Sequence, residues 1–152
     1  MLGIAACGSS GGASKSQYIA KADAICAAAH AQTTPLIKEI VTAGPSLVSG
    51  GARSARRLAT VVVRLHVVAA RNLAELQSLP QPSGDRAAIE RFLTPLAAVV
   101  VAIGHAASAL GSRQAPTALA LLEQAQPIAQ QVTSGAQDYG LTQCESVVSA
   151  LG

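Results

Sequence analysis

The apolar residues of this chain recur at spacings of three and four in four long stretches, each separated from the next by glycine or proline. That spacing is the 3.6-residue period of an α-helix with one buried face. In the first stretch Ile19, Ala22, Cys26 and Ala29 share a stripe that Lys21 and Asp23 avoid, with Ser16 as the expected N-cap. Leu36, Ile37, Ile40 and Val41 extend the apolar face to Gly44-Pro45, and Ser49-Gly50-Gly51 closes the connection. The second stretch, Ala52 to Leu79, carries Leu58, Val62, Leu65, Ala69, Leu73, Leu76 and Leu79 and stops at Pro80-Gln81-Pro82. Val61-Val62-Val63 alone reads equally well as a strand, and the length and continuing period around it decide for helix.

Ser83 and Asp85 open a third helix with Ile89, Leu93, Leu96, Val100, Ile103, Ala107 and Leu110 on one face, ending near Gly111. A fourth starts near Pro116 and runs through Leu121, Ala125, Ile128, Val132 and Ala136 towards Tyr139, followed by a short tail with Cys144. Four amphipathic helices joined by short connections predict an all-α, up-and-down four-helix bundle, a single domain over residues 16–152. Half the residues are apolar but only three are aromatic, so the core is built from Ala, Leu, Val and Ile. Pro35, Pro95 and Pro127 are expected to kink three of the helices. Such kinks either open a cavity for an apolar ligand or are absorbed by repacking. Leu93 to Leu110 approaches a membrane span in composition, but Pro95, Gly104 and His105 interrupt it, and it reads as a core helix.

A net charge of +3 and a pI near 9 raise the question of nucleic acid. No dense basic stripe with interleaved aromatics supports it, so no nucleic-acid partner is expected. Arg53, Arg56 and Arg57 form the only basic cluster in sequence; it reads as a solvated helix turn, with a phosphate or lipid-headgroup site as the alternative. His30, His66 and His105 fall one per helix without a second ligand at i+3 or i+4, and Glu75, Glu90 and Glu123 lack the Glu-x-x-His pairing of di-iron bundles. No metal or other cofactor is expected, and each His reads as exposed or capping, with partial burial of His66 and His105 as the alternative. No Gly-bounded nucleophile elbow or phosphate loop is present, which argues against an enzyme.

Ile4-Ala5-Ala6-Cys7 resembles the bacterial lipobox, in which an aliphatic and two small residues precede a cysteine that receives a diacylglyceryl group. Residues 1–7 then read as the remnant of a lipoprotein signal and 8–15 as a Gly/Ser tether. Only six residues precede Cys7, too few for a full signal, so a longer precursor is expected. The alternative is a cytosolic N-terminus with an incidental cysteine. Taking Cys7 for lipid leaves Cys26 and Cys144, one near each end of the domain. A bridge between them would stabilise by up to about 4–5 kcal/mol and requires an oxidising compartment; two separately buried thiols are the alternative.

Two segments together resemble a group of small, largely uncharacterised secreted proteins and lipoproteins of actinobacteria: Tyr18-Ile19-Ala20-Lys21-Ala22-Asp23-Ala24-Ile25-Cys26 after the tether, and Tyr139-Gly140-Leu141-Thr142-Gln143-Cys144 near the end. Leu76 to Ile89, with its Leu-Pro-x-Pro turn before Gly84-Asp85, is similar to the middle of such proteins. The resemblance implies export, helices and a Cys26–Cys144 pairing, and no reaction. The expectation is therefore a cell-envelope lipoprotein at the outer face of the membrane, a binding or scaffolding module. Its partners would be the membrane, through the lipid on Cys7, and an envelope protein or apolar small molecule. A soluble helical protein–protein interaction module is the alternative, and a bundle carrying an apolar ligand a third reading.

Overall fold

A computed structural model describes residues 12–43 and 51–149. They form α1 (Lys15–Ala43), α2 (Gly51–Ser78), α3 (Arg86–Gly111), α4 (Ala115–Tyr139) and the short α5 (Thr142–Ser149), with no strand among the described residues. The first four helices make an up-and-down bundle in which each packs on its sequence neighbour, and α5 folds back against both α4 and α1. Cys7 and the rest of segment 1–7, with the Gly44-Pro45 and Ser49-Gly50 stops, lie outside the described residues.

The start of α1 is a capping box. Ser14 Oγ accepts the amide of Gln17, and Gln17 Oε1 accepts the amide of Ser14. Ser14 rather than Ser16 takes this role because a glutamine lies three residues after it, where Ser16 has Ile19. Helix α1 therefore starts at Lys15, one residue before the start expected near Ser16. All three internal prolines are carried inside helices that continue through them. Around Pro35, Thr33 and Thr34 both donate their hydroxyls to the His30 carbonyl, at 3.3 and 2.8 Å. These bonds satisfy backbone next to the site where proline removes a donor.

The central helix is α3, between α2 and α4, and its two flanks explain why it buries more than one stripe. Every residue of the expected face is buried, and Phe92, Val99, Ala106 and Ala109 are buried as well. By length and composition α3 would cross a membrane, yet half of its most apolar stretch lies inside the bundle. Close approach to α4 occurs at Gly135. A Cβ there would sit 2.9 Å from the Arg91 carbonyl oxygen and 3.1 Å from Phe92 Cα. That carbonyl is the one Pro95, four residues on, leaves without an intrahelical donor. On the other flank the His66 ring of α2 lies where a Gly104 side chain would be, with Nδ1 3.1 Å from the Val100 carbonyl.

Some expected core positions differ. Val41 is 70% exposed, Leu73 and Leu79 are only partly buried, and Asn72, a polar residue on the inner face of α2, is 7% exposed. Asn72 is accommodated because its Nδ2 donates to the Ile25 carbonyl of α1 at 3.3 Å.

Candidate functional site

The two cysteine-bearing segments meet at one end of the bundle. Helix α4 ends in a Schellman motif: Gly140, at φ 94°, donates its amide to Gln137, and the Leu141 amide donates to the Ala136 carbonyl at 2.8 Å. Glycine adopts this left-handed conformation without a Cβ penalty. The reversal buries Leu141 (1% exposed) and starts α5 against α1. Asp23 of α1 then caps α5 from outside: its Oδ1 accepts the Gln143 amide at 2.9 Å and its Oδ2 accepts the Thr142 hydroxyl at 3.1 Å. A carboxylate at a helix N-terminus satisfies an orphan donor and faces the positive end of the dipole.

One turn along α1, Cys26 is bonded to Cys144, with Cα atoms 4.9 Å apart and a sequence separation of 118. Both are almost wholly buried, and Ala22, with no exposed surface, provides the room beside them. Tyr18 and Tyr139 complete the junction, ring centroids 5.8 Å apart and edge to face, with the Lys15 ammonium 4.6 Å over the Tyr139 ring. Tyr139 donates its hydroxyl to Asp85 Oδ2 at 2.7 Å, so the Asp85 side chain at the start of α3 makes no cap bond of its own. The Tyr18 hydroxyl, also buried, has no partner among the described residues.

Burial and the Asp85 hydrogen bond hold the Tyr139 phenol well above its ordinary value of 10.0, and burial raises Tyr18. A phenol whose folded value exceeds its unfolded one keeps its proton longer in the folded state. The stability it contributes is complete below about pH 10 and is lost as pH rises further. The thermal midpoint should therefore stay level, as far as these phenols are concerned, up to about pH 10 and decline above it. Tyr139→Phe should flatten part of that fall, and an unchanged slope would contradict the assignment.

Of the sequence-derived candidates, Cys26 and Cys144 are brought together, whereas Cys7 lies outside the described residues. His30 is half-buried, His66 is half-buried against Gly104, and His105 is exposed. Among the described residues no three His, Cys, Asp or Glu side chains converge as a metal site would require. Between α1, α2 and α3, a cavity of about 40 Å³ is lined by Thr33, Ile37, Leu65, Asn72, Leu96 and Val99, among others, and by none of the helix prolines. Ligand pockets for drug-sized molecules run to roughly 300–1,000 Å³, so this space is water-sized. The sequence did not reveal the cap that Asp23 gives α5, nor that Asp85, expected at the start of α3, spends its carboxylate on Tyr139. The signal for Asp23 was its place off the apolar stripe, three residues before Cys26. No family model, curated protein or solved structure matches the chain.

Proposed function

We propose that the chain is an exported, lipid-anchored helical domain, held at the outer face of the cell membrane through Cys7 and acting as a binding or scaffolding module. The Cys26–Cys144 bond carries this reading. Structural disulfides persist in oxidising compartments outside the cytosol, and pairing these two leaves Cys7 alone behind a lipobox-like Ile4-Ala5-Ala6. The tether then enters α1 at the end of the bundle where the bond joins α1 to α5. A pull on the anchor would thus load a covalently closed junction. The anchoring reading is tested by fractionating host cells: the protein should sediment with membranes, and Cys7→Ser should release it. Sedimentation unaffected by Cys7→Ser would overturn it.

A further inference from the structure

Helix α2 holds five of the eight arginines of the chain, Arg53, Arg56, Arg57, Arg64 and Arg71, and one acid, Glu75. Its net charge of +4 exceeds the +3 of the whole protein. All five are exposed. At spacings of four, seven and seven, Arg53, Arg57, Arg64 and Arg71 fall on one side of the helix and span about 27 Å along it. Arg56 shares the adjoining outward strip with Val63 and Val67, which are 47% and 53% exposed. The only ion pair among the described residues, Arg57 with Glu39 of α1 at 3.1 Å, neutralises one member of the row.

We propose that this outer face of α2 is a docking surface for the anionic phospholipid headgroups of the membrane. Arginine suits phosphate through its planar fork of donors, and exposed valines among the arginines give the face shallow apolar contact at the headgroup boundary. Cys7 lies seven residues before Ser14, a reach of at most about 25 Å, enough for the bundle to lie on its side. A lipid chain plus a basic surface supplies the two attachments that stable peripheral binding requires. The choice of a membrane as partner rests on the lipid-anchored reading; the basic face itself does not.

The test uses the full chain carrying Cys7→Ser, so that no acyl chain contributes. Its partitioning is measured on phosphatidylcholine vesicles with and without phosphatidylglycerol. Binding is expected only to the mixed vesicles and should weaken with added salt. Each unpaired arginine at the surface contributes about fivefold, so Arg53→Gln/Arg64→Gln should weaken binding roughly 25-fold. Arg57→Gln should have a smaller effect because Glu39 already pairs it. Arg86→Gln/Arg91→Gln on α3 removes the same charge from another face and should leave binding nearly unchanged. Equal loss in both double variants would show a net-charge effect and overturn the docking face. Binding to soluble polyphosphate without binding to the mixed vesicles would overturn the lipid assignment. Because Cys7 is absent throughout, neither failure bears on whether Cys7 is acylated.

Discussion

Replacing Cys26 and Cys144 together by alanine should lower stability by about 4–5 kcal/mol, as expected for opening a loop of more than a hundred residues. The melting temperature should fall by on the order of 10–20 °C. The loss is large because the bond closes nearly the whole domain: it joins Cys26, about three turns into α1, to α5, the last described helix. Without it, α5 is held by the Asp23 cap and buried Leu141, contributions of about 1–2 kcal/mol each. Alanine keeps the site apolar and fills space next to Ala22, so little unpaired polarity is introduced. Chemical denaturation under two-state conditions measures the difference. A loss below about 1 kcal/mol would mean that packing alone holds the ends together.

Gly135→Ala should cost a net 2–3 kcal/mol or about that, despite alanine being the better helix former by about 1 kcal/mol. The added methyl meets the Arg91 carbonyl oxygen at 2.9 Å, closer than real Cβ atoms come, and Phe92 Cα at a tight 3.1 Å, both of them backbone. Neither neighbour can rotate away, so α3 and α4 must separate along their closest approach. Gly104→Ala is the informative contrast. There the obstruction is the His66 ring, which can turn aside, and the helix-propensity gain should offset the loss to within about 1 kcal/mol. Equal behaviour of the two variants in the same denaturation assay would contradict this reading of the α3–α4 contact.

The helices were legible because their burial follows the 3.6-residue period over more than twenty residues each. Gly51–Ser78 and Arg86–Gly111 match the expected spans within a few residues, since proline and glycine stop them locally. What periodicity does not encode is a partner in space. Asn72 faces inward because a carbonyl of another helix, at Ile25, is there to accept its bond. Asp85 was expected at the start of α3 and is found there, but its carboxylate serves Tyr139, 54 residues away. The tail with Cys144 folds as α5 only because Gly140 reverses the chain and Asp23 supplies the missing cap. The cysteine pairing followed from resemblance, whereas the reason for its neighbouring residues emerges from the joined geometry: Tyr18, Ala22, Asp23 and Cys26 each meet one element of the closing segment.

The proposed lipid on Cys7 of a disulfide-closed, exported bundle is tested most directly by mass analysis of the protein purified from its host's membranes. The expected result is a chain beginning at Cys7 with acyl chains on that residue and a non-reduced peptide joining Cys26 to Cys144. Unmodified Cys7 preceded by intact residues 1–6, with free thiols at Cys26 and Cys144, would contradict it.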